Sequence, residues 1–313
     1  MGVGLQVELH VGHRAHELVE ALDRGGTAIS DHHEAPDAID GSLSIIAEAC
    51  AEVGVRVSCA YGITDRHGPD GARRGLAENE RFLRAGGRGM VGVHDAFNCT
   101  DESLEAAAGL AADLNVGVHV HVAEGKADVE AADRLRPLAT DDWLLIHGVH
   151  LDDDHGLAGT VVHNPRSNMN NSVGYARPAR FANSVALGTD GIGADMLDEF
   201  RLAYVRHRED DVTASPEDAW GWLAAGWDLF PEAHHDRVIW DPVAPVEAPM
   251  DPWRLAFTTG VAPAPWRSTV KWCWPTVEPR VWTPKRSGPG LPNRRPSYTS
   301  AWTRSEFRER KRL

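Results

Sequence analysis

Residues 117–124 read Gly-Val-His-Val-His-Val-Ala-Glu and join the pattern of a buried strand to groups that do metal and acid–base chemistry. The alternation of valine and histidine predicts a short strand that ends near His121. An imidazole at a strand end offers a nitrogen to a metal ion, and Glu124, three residues later, is placed to move protons to or from water. A buried strand whose histidines are only hydrogen-bonded fits the segment equally well. We expect His119 to face away from His121 and to be structural.

Other predicted strands also end in polar, metal-competent side chains. Catalytic groups of α/β barrels lie at the C-terminal ends of the strands, so we expect these side chains to converge. An earlier strand runs into Asp31-His-His-Glu34, whose two histidines we interpret as a polar corner between strand and loop. The strand-end residues are His94, His121, His147, His163 and Asp190.

These residues sit in a chain that alternates apolar strand-like runs with amphipathic helical runs, which predicts parallel βα units. Seven strand–helix steps precede residue 230, with no internal repeat and no linker. One barrel fits this count, and the length of 313 residues, better than two domains. The predicted strands are residues 27–31, 55–61, 89–94, 116–121, 143–147, 160–163 and 184–190, and the predicted helices are residues 41–53, 75–85, 101–114, 128–136, 197–208 and 216–227.

Four motifs, in this order, resemble the amidohydrolase superfamily and its branch of cytosine deaminases, guanine deaminases and chlorohydrolases. Shorter phrases such as Asp31-His-His-Glu-Ala-Pro are similar to the SsnA-type aminohydrolases. The resemblance covers about residues 20 to 260 and implies an α/β fold of the TIM-barrel, (β/α)8 type. The motifs are His121-Val-Ala-Glu124, Leu145-Ile-His147-Gly, Val162-His-Asn-Pro-Arg-Ser-Asn168 and Leu187-Gly-Thr-Asp190-Gly.

The resemblance implies a metal centre and a set of catalytic groups. His121, His147 and Asp190 would bind one divalent metal, zinc or alternatively iron. Asp190 would also act as general base, His147 would polarise the attacked carbon, and Glu124 would relay a proton from water to the substrate. This chemistry is coherent without the family, because a divalent metal lowers the pKa of water and a nearby carboxylate accepts its proton.

The resemblance also implies a substrate pocket in which His94, Arg166 and Asn168 contact a small molecule. The implied reaction is hydrolysis of a carbon–nitrogen bond outside peptides, by deamination of a cyclic amidine or nitrogen heterocycle, with dechlorination as a variant. A ring-opening cyclic amide hydrolase is the second enzymatic reading. That chemistry uses a modified lysine at the fourth strand end, where this chain has His94.

The chain departs from the family pattern at both ends. The family's first barrel strand ends in a His-x-His pair that supplies two metal ligands, and no such pair precedes residue 119 here. We therefore expect an incomplete barrel that lacks its first strand, and a catalytically dead relative stays an alternative. The expected organisation is a partial barrel over 1–230, a return to a remnant of a small β-sandwich over 231–262, and an irregular, poorly ordered tail over 263–313.

Charge and composition limit the classes of partner that we expect for the chain. Residues 264–313 hold 12 Lys and Arg against 3 Asp and Glu, so the remaining 263 residues carry a charge of −23 within a total of −14. An acidic body disfavours nucleic acid. No apolar run is long enough for a membrane span, no secretory signal is visible, and the four cysteines form no CxxC pair. We expect a cytoplasmic enzyme, with a homodimer left open; the basic tail is either an arm or the product of a shifted reading frame.

Overall fold

The computed structural model describes residues 20–238 and 240–242, Ala256 and Val261–Pro263. Strands and helices alternate along most of the first of these ranges, except that β6 follows β5 without a helix between them. The strands are β1 (Ala28–His33), β2 (Arg56–Tyr61), β3 (Val91–Asp95), β4 (Val118–Val122), β5 (Leu144–His147), β6 (Thr160–His163) and β7 (Val185–Leu187). The α-helices are α1 (Ser42–Val53), α2 (Gly68–Arg84), α3 (Asp101–Leu114), α4 (Val129–Ala132), α5 (Pro165–Asn170), α6 (Met196–Asp210) and α7 (Pro216–Ala225). Short 3-10 turns cover Asp65–His67, Lys126–Asp128, Asp133–Leu135, Pro178–Arg180, Gly226–Leu229 and Pro231–His235.

The seven strands are parallel and neighbour one another in chain order. β1 pairs with β2, and β3 to β7 form one five-stranded sheet. Single parallel bridges, Cys59 to Gly89 and Ile63 to Val93, connect β2 to β3. The chain-order arc of βα units confirms the predicted α/β architecture of an incomplete barrel, and seven parallel strands lie among the described residues as the pattern predicted.

The strand β4 shows how the sequence positions the functional side chains. Its valines 118, 120 and 122 belong to a buried cluster that also contains residues of helix α3, such as Leu104 and Ala107. Because strand side chains alternate between faces, His119 and His121 lie together on the other face, away from the helices. Hydrophobic burial on one face therefore directs both imidazoles to the other.

Helix ends follow the capping chemistry of the sequence. The Thr100 hydroxyl accepts the backbone N–H of Ser103 at the start of α3, and Asp195 accepts those of Leu197 and Asp198 at the start of α6. Helix α2 begins seven residues before the predicted start, because Pro69 fits the first turn of a helix. The predicted helix over 128–136 is one α-helical turn followed by a 3-10 turn.

Beyond residue 235 the described strands form one small ribbon. Strands β8 (Trp240–Pro242) and β9 (Val261–Pro263) pair antiparallel. Their assignment to a β-sandwich remnant stays a prediction. The predicted irregular tail over 263–313 lies, apart from its first residue, outside the described residues. Among the described residues no helix has the length and apolarity needed to cross a bilayer.

Candidate metal centre

Three predicted metal ligands converge at the C-terminal ends of the strands. His121 lies near the end of β4, His147 ends β5, and Asp190 follows β7. One ligand atom of each lies within 4.8 Å of those of the other two. The folding of three separate βα units therefore brings together two imidazoles and a carboxylate. The first and last of these residues, His121 and Asp190, are 69 positions apart in sequence.

His147 is buried and its ring is fixed from behind. Its Nδ1 lies 2.8 Å from the Oδ1 of Asn168, so the Nδ1–H donates to that oxygen; the amide nitrogen of Asn164 lies further away, at 3.3 Å. This hydrogen bond leaves Nε2 with a free lone pair. His147 adopts φ 74, a left-handed backbone conformation that costs a non-glycine residue about 1–3 kcal/mol.

His121 shows the same arrangement with a backbone partner. Its Nδ1–H donates to the carbonyl oxygen of His94 over 2.5 Å, which leaves Nε2 as the nitrogen able to bind a metal. Burial, followed by the proximity of His147, lowers the pKa of His121 to about 4. The imidazole is therefore neutral at pH 7, the state that metal binding requires.

Asp190 supplies the negative charge of the site. The Ser167 hydroxyl donates to its Oδ2 over 2.5 Å, and the same oxygen lies 4.0 Å from the Nε2 of His147. Burial acts to raise the pKa of Asp190, but the Ser167 hydrogen bond and the neighbouring His147 outweigh it, so the pKa lies below its ordinary value. Asp190 also adopts a positive φ of 54.

Glu124 stands beside these three residues. Its Oε2 lies 3.8 Å from the Nε2 of His147, and its Oε1 accepts a hydrogen bond from the Asn171 amide over 3.3 Å. The turn that carries it passes through Ala123, at φ 46, and the Ala123 N–H donates to the carboxylate of Asp128 over 2.5 Å. The backbone of this turn is held in place while the Glu124 side chain remains one-third exposed.

The donor set fits a zinc-class ion. Two neutral imidazoles and one ionised carboxylate are the nitrogen and oxygen ligands that zinc takes in catalytic sites with an open position. The second ring nitrogens of His121 and His147 are already committed to hydrogen bonds, as is usual for histidine ligands. The residues that the sequence singled out therefore have the chemistry to hold such an ion.

The three predicted substrate contacts differ in their surroundings. His94 is partly exposed and pairs through Nδ1 with Glu34 at 3.0 Å. Asn168 is almost fully buried and is engaged by His147, so it holds a metal-site residue in place. Arg166 pairs at 2.6 Å with Glu199, which is fully buried. The described contacts of Asn168 and Arg166 are with other protein residues, and their contact with a substrate stays a prediction.

Two sequence expectations about histidines are wrong. His119 does not face away from His121: the two rings lie on one face of β4 with centroids 6.3 Å apart, because residues i and i+2 of a strand share a face. His32 is not at a polar corner, since β1 continues to His33 and the His32 ring lies 4.8 Å from that of His119 and 4.6 Å from that of His121. Extending the alternation of β1 by two residues would have found it.

Comparison with known proteins agrees with this geometry. The profile of the Amidohydrolase family matches residues 14–220, about two-thirds of the chain. The chain belongs to the amidohydrolase family. It is 31% identical over 227 residues to a 5'-deoxyadenosine deaminase of Methanopyrus kandleri, covering 63% of this chain and 51% of that protein. It is 32% identical over 222 residues to a 5-methylthioadenosine/S-adenosylhomocysteine deaminase of Symbiobacterium thermophilum, covering 61% and 49%. The amidohydrolase chain thus spans about half the length of these curated relatives.

Solved structures share the fold. A zinc-bound adenosine deaminase from Xanthomonas campestris aligns with a TM-score of 0.57 at 20% identity, covering 66% of this chain and 53% of that one. An atrazine chlorohydrolase from Arthrobacter aurescens, complexed with zinc, aligns with a TM-score of 0.55 at 20% identity, covering 69% and 56%. Family and fold confirm the resemblance that the four sequence motifs indicated.

Proposed function

We propose that this amidohydrolase catalyses the metal-dependent hydrolytic deamination of a nitrogen heterocycle. The convergence of His121, His147 and Asp190 beside Glu124 is the observation that carries the proposal. When bound at these residues, a zinc-class ion supplies Lewis acidity that activates water near neutral pH. Iron would suit the same ligands. Zinc is the first metal to test, because imidazole and carboxylate groups are its usual ligands in catalytic sites.

Different residues of the chain carry out the two proton transfers of the reaction. Water adds to the carbon that bears the amino group, the carbon–nitrogen bond breaks, and a carbonyl product and ammonia leave. Asp190, ionised at neutral pH, accepts a proton from the water, and Glu124 delivers a proton to the nitrogen side of the substrate. His147 offers its Nε2 toward both carboxylates and is held by Asn168, which keeps the three groups in one geometry.

The substrate class that we propose is a 6-aminopurine nucleoside. Support comes from the names of the relatives, which are deaminases of 5'-deoxyadenosine and of methylthioadenosine or S-adenosylhomocysteine. His94 is a predicted substrate contact that is partly exposed and whose ring centroid lies 5.4 Å from that of His121, and it is our candidate for the pocket wall. A small-molecule substrate, a cytoplasmic location and a possible homodimer complete the proposal.

The test is ammonia release by the purified full chain loaded with zinc. The panel contains 5'-deoxyadenosine, methylthioadenosine, S-adenosylhomocysteine, adenosine, guanine and atrazine. We expect ammonia from an aminopurine nucleoside, and we expect Glu124→Gln to lower kcat by about 10²–10⁴-fold while zinc stays bound. Glu105→Gln, an exposed glutamate of α3, is the matched control and should retain activity.

A non-catalytic binding protein is the second candidate. The absence of a His-x-His pair before residue 119 favours it, because that pair supplies two metal ligands in the resembled family. Loss of ammonia release across the whole panel, with zinc bound at full stoichiometry, would support this candidate against the deaminase.

A further inference from the structure

A second cluster of imidazoles lies next to the candidate metal centre and shares His121 with it. His32 of β1, His94 of β3 and His121 of β4 each place one ligand atom within 4.8 Å of those of the other two. The ring centroids of His32 and His121 are 4.6 Å apart, and those of His94 and His121 are 5.4 Å apart. Three imidazoles are the protein ligands of a three-histidine zinc site.

His32 is the unusual member of the cluster. Both of its ring nitrogens are shielded from solvent and lack a hydrogen-bond partner. A neutral imidazole has one nitrogen that donates a hydrogen bond and one that accepts. Burial of both nitrogens without a partner therefore costs free energy. The ring is accommodated because position 62 is glycine, where a Cβ atom would approach the His32 Nε2 to 2.5 Å. A bound cation would satisfy a nitrogen that the protein leaves unpaired.

The other two histidines are oriented as metal ligands usually are. The Nδ1 of His94 lies 3.0 Å from Glu34, and Glu34 is itself held by Arg66 at 2.9 Å and His67 at 2.8 Å. The Nδ1–H of His121 is taken by a backbone carbonyl. A carboxylate or carbonyl behind the ring fixes the tautomer and leaves Nε2 for the metal.

The surroundings of His94 Nε2 also favour a cation. Asp95 Oδ2 lies 3.4 Å from this nitrogen, and the Asp95 carboxylate is kept in place by Asn98 through its backbone N–H at 2.6 Å and its side-chain amide at 2.7 Å. The motif Asp31-His-His-Glu34 thus supplies one ring of the cluster and the carboxylate behind another.

We propose that His32, His94 and His121 form a second, three-histidine site for a zinc-class ion, adjoining the His121, His147 and Asp190 site and sharing His121 with it. Because His121 has only Nε2 to offer, one ion at a time occupies the two sites, and the chain binds one zinc in total. This site uses ligands other than the missing His-x-His pair, and the proposal does not require that the chain be a deaminase.

The test is the zinc affinity of the full chain, measured by competition with a chromophoric chelator, together with the visible spectrum of the cobalt(II)-loaded protein. We expect His32→Gln and His94→Gln each to weaken zinc binding by about tenfold or more and to change the cobalt spectrum. His155→Gln removes a buried histidine that belongs to neither triad, and it should leave both readings unchanged.

The outcomes separate this site from the proposed function. Zinc affinity and cobalt spectra that stay the same in His32→Gln and His94→Gln overturn the three-histidine site, whatever the activity. Since the side chain of His94 is about one-quarter exposed, His94→Gln keeps the test valid if His32→Gln does not fold. Asp190→Asn, made in the His94→Gln background, tests the other triad: unchanged zinc affinity relative to His94→Gln counts against the proposed catalytic centre alone.

Discussion

Hydrogen bonds behind the rings decide which nitrogen each site histidine presents. His147 donates from Nδ1 to Asn168, and His121 donates from Nδ1 to the His94 carbonyl. In both cases Nε2 is the nitrogen left for a metal, and the ring cannot turn without losing its partner. A buried asparagine therefore has a chemical role through the histidine ring that it holds.

Replacing Asn168 tests this role directly. In the His94→Gln background, which leaves only the His121, His147 and Asp190 site, we expect Asn168→Ala to weaken zinc binding by about 10–100-fold, because the His147 ring loses the acceptor that fixes its tautomer. Zinc affinity is measured by chelator competition and the fold by circular dichroism. Asn183→Ala is the matched control, since that amide donates to the loop carbonyls of Leu157 and Gly159 and these hydrogen bonds involve none of the candidate metal residues; an equal loss in both variants would argue against a specific effect of Asn168.

The turn after β4 leads from the strand to Glu124, the proposed acid–base residue. Asp128 holds the backbone of this turn in place. Asp128 is buried and accepts the Ala123 N–H. Burial, reinforced by the nearby Asp95, raises the pKa of Asp128 to about 7, although its backbone hydrogen bonds act in the opposite direction. The element that positions Glu124 is therefore most stable when Asp128 carries a proton.

This raised pKa predicts the direction of a pH effect. The folded chain binds the Asp128 proton more tightly than the unfolded chain, whose pKa is near 3.8, so the stabilisation is complete below about pH 4 and is lost as the pH rises through about 7. Asp128→Asn stays neutral at every pH. The unfolding free energy of the variant minus that of the wild type, from urea titrations, should rise between about pH 4 and 7; a flat or falling difference contradicts the assignment.

An ion pair joins helices α5 and α6. One of its members, Arg166, is a residue that the sequence predicted to bind substrate. Arg166 bonds Glu199 over 2.6 Å, and the Glu199 side chain is fully buried. Arg166→Ala would leave that carboxylate unpaired in the interior, so we expect a loss of about 3–5 kcal/mol in the free energy of unfolding. The measurement is urea denaturation at pH 7.

The control for this ion pair is an exposed one. Arg177 pairs with Asp210 at 3.2 Å, and both side chains are more than two-fifths exposed. Arg177→Ala should cost no more than about 1 kcal/mol. Arg166→Ala could instead lower the free energy of unfolding no more than this control does and raise KM. That result would support the prediction from the sequence that Arg166 contacts the substrate.

At the scale of the whole molecule, the candidate ligands come from strands spread across the arc. β1, β3, β4 and β5 each carry one of the histidines, and Asp190 follows β7. An ion bound among them would link βα units that are distant in sequence. Because the unfolded chain cannot present these ligands together, binding stabilises the folded state by mass action.

Zinc should therefore stabilise the fold measurably. At a free zinc concentration one hundred times Kd we expect a gain of about 2.7 kcal/mol in the free energy of unfolding, reversed by a chelator. Magnesium, which prefers oxygen ligands, is the control ion and should give little gain. An equal effect of both ions would point to screening of the acidic body rather than to a built site.

The sequence by itself determined the alternation of strands and helices, the placement of His121, His147 and Asp190 at strand ends, and the family. These features are local, because burial of one face imposes periods of 2 and 3.6 and the motifs are contiguous. The same period of 2 places His119 on the face of His121, so that error did not require a structure to correct it. Only the tertiary structure decided that His32 meets His121 and that Asn168 meets His147, because such contacts depend on how strands and loops distant in the chain are brought side by side.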